Sequence, residues 1–210
     1  MRRRWLRRNG LILLIACLPA SFPCAAQKVA QPEIVSREAW GARPANTELM
    51  QEQKPAEIIV HHTGTRQQPH VSLEAKMRGL QDFGMKAGRV GPLPKPAWGD
   101  IPYHYYIDVA GKIGEGRDTG FAGDNATAFD NDGRIQITVE GDFEHERPTE
   151  KQLKSLMQLV TWLAAAYGVP ADGIYGHGDF DQTGCPGRNL RPFLDELRKA
   201  VQKTGEAAEK

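Results

Sequence analysis

The chain has 210 residues, of which 40% are hydrophobic and 25% charged, with a formal net charge of +1. This length suits one compact domain plus a leader, and the composition can fill a core. The balance of apolar and charged residues excludes an intrinsically disordered chain, and the near-zero net charge gives no support to nucleic acid or another polyanion as partner.

The first residues stand apart. Arg2, Arg3, Arg4, Arg7 and Arg8 precede an apolar run from Leu11 to Cys17, which is the pattern of an export signal. That run is well short of the roughly 20 residues that span a bilayer. Cys24-Ala25-Ala26 offers ordinary cleavage, making residues 1–26 a signal peptide, whereas Leu14-Ile15-Ala16-Cys17 resembles a lipoprotein box ending at Cys17. Arg2 to Arg7 also loosely resembles a twin-arginine signal, which a plain basic segment explains equally well. Every version carries the protein out of the cytoplasm, to the periplasm, the cell envelope or beyond. Membrane attachment follows only if Cys17 is lipidated.

Residues 27–33 read as a linker, residues 34–203 as the domain and residues 204–210 as a frayed polar tail. Glu57-Ile58-Ile59-Val60 is rich in β-branched residues and reads as a buried strand that ends at His61-His62-Thr63-Gly64. A helix is expected over Ser72 to Phe83, with Ser72 as its N-cap and Leu73, Met77 and Leu80 on one face. Pro92, Pro94, Pro96 and Pro102 then predict a loop from Val90 to Pro102, since proline blocks both helix and central strand.

Two further strands are expected at Tyr103 to Val109 and Ile135 to Glu140, with a turn at Ala110-Gly111-Lys112 leading into Ile113-Gly114-Glu115. The clearest helix runs from Glu150 to Tyr167. Thr149 and Gln152 form a capping box ahead of it, and Gly168 and Pro170 stop it. A last helix is expected from Pro192 to Gln202. Strands interleaved with helices predict a single α/β domain, a central mixed β-sheet flanked by helices.

Of the three cysteines, Cys17 and Cys24 lie in or beside the leader. Cleavage after Ala26 leaves Cys185 as the lone thiol, which cannot form an internal disulfide. Its roles are then a metal ligand, a nucleophile activated by a histidine, or an inert buried residue. His177 and Cys185 share a segment full of Gly, Asp and Pro, which can curl both onto one ion. With a histidine from the His61-His62 strand end, two imidazoles and a thiolate would leave the fourth tetrahedral position of a zinc ion open for water, as at a catalytic site. Strand alternation does not choose between His61 and His62.

From Ile34 to Pro192 the chain resembles the amidase family that includes peptidoglycan recognition proteins and phage lysozymes of the amidase type. The resemblance rests on ordered motifs: Ser36-Arg37-Glu38-Ala39-Trp40-Gly41-Ala42-Arg43-Pro44, Ile58-Ile59-Val60-His61-His62-Thr63, Pro102-Tyr103-His104-Tyr105, Gly111-Lys112-Ile113-Gly114-Glu115-Gly116-Arg117, Val139-Glu140-Gly141-Asp142-Phe143, and the stretch from His177 to Cys185. It implies a zinc-dependent N-acetylmuramoyl-L-alanine amidase acting on peptidoglycan or muropeptides, with the metal at the bottom of a surface groove. A non-catalytic peptidoglycan-binding module is the alternative, and in such members the cysteine is typically lost.

Carried over position by position, the resemblance implies zinc ligands His61, His177 and Cys185, with His62 facing away. Tyr103 falls where the family has a tyrosine beside the metal, and Thr183 where relatives carry lysine or threonine. Both hydroxyls are then candidates to hold an oxyanion. Where cytoplasmic relatives use a glutamate base, this chain has Thr138, with Glu140 two positions on, more simply read as a capping or surface carboxylate. Asp124 replaces a histidine lining the groove of many relatives, and the proline-rich segment before Trp98 is longer than usual. His70, His104 and His145 match no motif and read as surface or structural. Asp179 and Asp181 are solvated loop carboxylates or orienters of ligands.

Overall fold

The computed structural model describes residues 29–127 and 129–208. The expected leader, with both cleavage alternatives at Cys17 and Cys24, lies outside these residues. In chain order the elements are β1 (Ile34–Val35), α1 (Arg37–Trp40), β2 (Glu57–His62), α2 (Leu73–Met85), β3 (Gly88–Val90), β4 (Leu93–Lys95), β5 (Tyr105–Ile107), β6 (Ile113–Glu115), β7 (Arg134–Val139), α3 (Glu150–Tyr167), β8 (Ile174–Gly176) and α4 (Phe193–Ala208).

Six strands form one sheet in the order β1-β6-β5-β7-β2-β8. Neighbours run parallel except β5 and β6, which are antiparallel across the turn at Gly111, so the sheet is mixed as expected. Helices cover both faces in a single α/β domain. Among the described residues, no helix is long and apolar enough to cross a membrane.

Alternation along the central strands divides the sheet into two unlike faces. Ile58 and Val60 of β2, Ile135, Ile137 and Val139 of β7, and Tyr105 and Ile107 of β5 join Leu156, Leu159, Val160 and Leu163 of α3 and Leu194 and Leu197 of α4 in the main core. The intervening residues, Ile59 and His61, Gln136 and Thr138, and Tyr106, turn to the other side. There Tyr106 packs with Trp40, Leu73, Met77 and Ile101 in a smaller core under α1 and α2. In register, Ile59 lies beside Gln136 and His61 beside Thr138.

The caps are those expected. Ser72 accepts from the Ala75 amide at the start of α2, Thr149 and Gln152 close their reciprocal box on α3, and Gly168 ends α3 in the left-handed region at φ 68°. Three expectations are corrected. The strand at Tyr103 to Val109 shrinks to Tyr105–Ile107. Part of the proline-rich stretch is not loop but a hairpin, β3 paired antiparallel with β4 as a separate two-stranded sheet. Pro94 is tolerated because β4 has only one neighbour, and Gly91 supplies the positive φ of 55° at the turn. Finally, α4 runs to Ala208 rather than fraying at Thr204. Its last turns are tied by Thr204 Oγ1 to the Ala200 carbonyl at 2.9 Å and Gln202 Nε2 to Glu206 Oε1 at 3.1 Å.

One side chain fastens the hairpin to the body. The Lys95 ammonium donates to the carbonyls of Gly84 (2.9 Å), Lys86 (2.6 Å) and Pro96 (2.9 Å) and sits over the rings of Trp98 and Phe83. Carbonyls at the end of α2 thereby gain the cation that a helix C-terminus favours.

Candidate metal centre and substrate cleft

A cleft of about 600 Å³ opens on the polar face of the sheet. Strand β2 brings His61 to its floor. His177 follows β8 at the start of a tight turn, and Cys185 ends the same loop. The loop closes on itself: Gly178 N donates to the Cys185 carbonyl at 2.8 Å, Asp181 N to the His177 carbonyl at 3.3 Å, and Cys185 N to Thr183 Oγ1 at 3.3 Å. A Cβ at Gly178 would come within 2.7 Å of the Thr183 carbonyl, so this approach requires glycine.

His61, His177 and Cys185 each present a ligand atom, all within 4.8 Å of one another. His61 Nδ1 lies 3.7 Å from Cys185 Sγ. Donors around one tetrahedral zinc, with bonds of about 2.0 and 2.3 Å, stand about 3.6 Å apart. His177 Nε2 is buried and has no hydrogen-bond partner, with Asp181 Oδ2 3.7 Å away. Two imidazoles and a sulfur with this spacing fit a zinc ion.

The ring of His61 is oriented from behind. Its Nε2–H donates to Gln136 Oε1, which leaves Nδ1 with a lone pair toward the sulfur. Gln136 is itself fixed, because its Nε2 donates to Asn131 Oδ1 at 3.0 Å. Ligand histidines commonly have such a partner on their other nitrogen. His62 faces away, its Nδ1 accepting from the Phe143 amide at 3.1 Å, while its own amide donates to Cys185 Sγ at 3.4 Å.

Burial holds all three clustered side chains in their neutral forms. Burial, reinforced by His177, lowers the His61 pKa to about 3. Burial also lowers that of His177, against the pull of Asp181. The same desolvation pushes the Cys185 thiol up to about 12. Burial thus favours the neutral form of both imidazoles and of the thiol, and a cation bound among them would favour the thiolate.

Tyr103 lines the cleft with its ring centroid 5.2 Å from that of His61, and burial followed by Cys185 raises its pKa, keeping the hydroxyl protonated. Thr183 stands on the exposed side of the loop, its hydroxyl engaged with the Cys185 amide. Asp179 is not a free solvated carboxylate: it accepts from the Gly176 amide at 2.9 Å and pairs with Arg191.

Glu140 is neither a surface nor a capping carboxylate. It is 2% exposed and accepts from Gln68 N (2.7 Å), Val109 N (2.9 Å) and Lys76 Nζ (2.8 Å). Thr138 Oγ1 is buried without a partner, and a hydroxyl there cannot replace a carboxylate base. His104 is fully buried and structural: Nδ1 accepts from Gln136 N at 2.7 Å and Nε2 donates to the Phe121 carbonyl at 2.8 Å. His70 is exposed, and His145, also exposed, pairs with Asp142 at 2.8 Å. Asp124 lines the cleft and pairs with the buried Arg117. Gln136, Asn131, Lys76 and Phe129 were not singled out by sequence, although Ile135-Gln136-Ile137-Thr138-Val139-Glu140 alternates apolar and polar. That period of two would have put Gln136 on the face of His61.

A family described as N-acetylmuramoyl-L-alanine amidase matches residues 51–188, which take in β2, the cleft and all three clustered side chains. The chain belongs to this amidase family. Its members are typically zinc-dependent, in keeping with the cluster. Peptidoglycan-recognition protein SD of Drosophila simulans is 31% identical over 170 residues, covering 78% of this chain and 84% of that protein. Among solved structures, an N-acetylmuramoyl-L-alanine amidase, LysC, from Clostridium intestinale superposes with a TM-score of 0.61 at 27% identity, covering 81% of this chain and 97% of that one. A mutant of Drosophila PGRP-LB in complex with tracheal cytotoxin superposes at 0.64 with 27% identity, covering 77% of this chain and 92% of that one. The amidase-family fold anticipated from the motifs is therefore the fold observed.

Proposed function

We propose that this protein is a zinc-dependent N-acetylmuramoyl-L-alanine amidase, cleaving the amide between N-acetylmuramic acid and L-alanine in peptidoglycan or muropeptides. The observation that carries this reading is the convergence of His61, His177 and Cys185, the two histidines of which line an open cleft. A zinc ion held by these residues supplies a bound water with a pKa of about 7 and a Lewis acid for the amide carbonyl.

The rest is the work of the chain. Gln136 and the closed 177–185 loop hold the ligand atoms in place. Tyr103, kept protonated by burial, donates its hydroxyl hydrogen to the oxyanion that forms beside His61. Thr183 fixes the Cys185 amide, and its part in holding the oxyanion is proposed from the motif alone, since it stands outside the cleft lining. Glu140 is committed to two amides and an ammonium and is given no part in the reaction. The Arg-rich leader supports export, so the substrate is met in the periplasm, the cell envelope or outside the cell.

The test is mass spectrometry of products from defined muropeptides before and after chelation. Free L-alanyl peptide should appear with zinc, vanish on full stripping and return on zinc addition. Cys185→Ser should lower cleavage by at least about a thousandfold while muropeptide still binds. Cleavage that survives complete stripping sinks the reading, and binding with no cleavage under any metal would make the protein a recognition module instead.

A further inference from the structure

The cleft lining has two chemically distinct stretches. Along α2 it carries Lys76, ion-paired with Glu140, among apolar side chains. The segment ahead of β7 contributes the uncharged Asn125, Thr127, Phe129 and Asn131, together with Asp124, whose carboxylate is paired with the buried Arg117. Phe129 belongs to neither hydrophobic core and is gripped by side chains that do not line the cleft. The Arg134 guanidinium carbon stands 4.8 Å from its ring centroid and 4.4 Å from that of Phe180. The two phenylalanine rings lie 5.4 Å apart, and Phe180 meets Tyr175 edge-on at 4.8 Å. The backbone is tied as well: Asn125 Nδ2 donates to the Phe129 carbonyl at 2.8 Å, and the Phe129 amide donates to Thr127 Oγ1 at 3.3 Å. The half-buried ring is thus placed before any ligand arrives, its centroid 5.4 Å from that of His177.

An aromatic ring clamped from behind and partly open to a cleft is a stacking surface whose ordering cost does not fall on the ligand. Its neighbourhood selects what stacks there. When the scissile carbonyl sits at the cluster of His61, His177 and Cys185, a sugar ring follows on its acyl side through a short lactyl arm. That ring carries no charge: its faces present C–H groups and its edge hydroxyl and acetamide groups. An aromatic surface beside neutral amides and a hydroxyl matches it, whereas the carboxylates of a peptide would find no free cation in this stretch of the lining. We infer that Phe129 is a specificity-determining residue, the platform on which the pyranose ring of the muramyl group stacks. This rests on reading the cleft as an amidase site, and it adds a requirement for the sugar that the clustered side chains by themselves do not impose.

The experiment is calorimetric binding, to the metal-stripped full chain, of a muramyl peptide and of the same peptide acylated with lactic acid alone. The lactyl form keeps the scissile amide and lacks the sugar. The muramyl form should bind about tenfold more tightly. In Phe129→Leu the two should bind within about twofold of each other, with lactyl-peptide affinity and zinc affinity by chelator competition both unchanged, while Phe129→Tyr keeps the preference. Should the leucine variant fail to fold, nuclear Overhauser contacts between an isotope-labelled Phe129 ring and the sugar C–H groups in the unmodified chain decide instead. Equal binding of both forms by the unmodified chain overturns the inference, as does an undiminished preference in the leucine variant or the absence of those contacts. Equal weakening of both ligands in that variant also overturns it, since that is what a residue that only props the loop would do. Cleavage is scored separately with zinc present: a muramyl preference without cleavage removes the amidase reading and leaves the platform standing, and cleavage of both forms at equal kcat/KM does the reverse.

Discussion

The two faces of the central sheet come from the same strands and differ in almost every other respect. Toward α3 and α4 the strands present isoleucines and valines that are sealed from water. On the opposite face, one residue along in each strand, stand His61, Gln136, Thr138 and Tyr106, with Glu140 just beyond β7. One face supplies stability by area removed from water, and the other gives some of it up to polar groups that must each be satisfied. Adjacent residues of β7 should therefore fail in different ways when altered.

Truncating the apolar face has the largest expected effect. Ile137→Ala should lose about 2–5 kcal/mol of unfolding free energy in denaturant titrations. Zinc affinity of the remaining folded protein should stay within a few-fold, and a collapse of metal binding at unchanged stability would erase the division of labour.

A second effect comes from the buried imidazole that ties β5 to β7. Burial lowers the His104 pKa from 6.5 to about 4, with Phe121 opposing and Arg117 assisting the shift. The neutral form is the one that fits, so its stabilisation is whole above pH 6.5 and declines as pH falls toward 4. The full loss approaches about 3 kcal/mol. The ring resonances of His104 in the folded protein should titrate near pH 4, and titration near 6.5 would show that the site does not exclude the charged form.

The smallest and sharpest effect is expected at Gln136, one residue from Ile137. Gln136→Leu should weaken zinc binding about 10- to 100-fold by chelator competition, with global stability little altered. Gln136→Glu keeps an acceptor for His61 Nε2–H and should recover most of the affinity. In the metal-free protein, nitrogen shifts of His61 should report the Nε2–H form, and loss of that preference is expected only in the leucine variant. Equal zinc affinity in all three proteins would reduce Gln136 to packing.

Much of this was legible in the sequence where short-range rules govern. The capping box of α3, the Ser72 cap and the strand leading to His61 depend on residues a few positions apart, and they stand where expected. The clustering of His61, His177 and Cys185 was legible mainly through ordered motifs, since nothing local says that His61 and Cys185 meet. Long-range pairings were hidden: Lys76 finds Glu140 across 64 positions, and Gln136 finds His61 across 75. β8 escaped because Ile174-Tyr175-Gly176 is too short to show a period, and it exists through its pairing with β2. The hairpin escaped because prolines forbid central strands but not a two-stranded one.

That hairpin shares no backbone ladder with the six-stranded sheet and is clipped on by the Lys95 ammonium. It contributes Val90 to the cleft wall, while His61, His177 and Cys185 all belong to the body of the fold. The rim of the cleft and the cluster of His61, His177 and Cys185 thus rest on separate backbone ladders, so a change of length in the hairpin need not pass through the strands that hold the cluster.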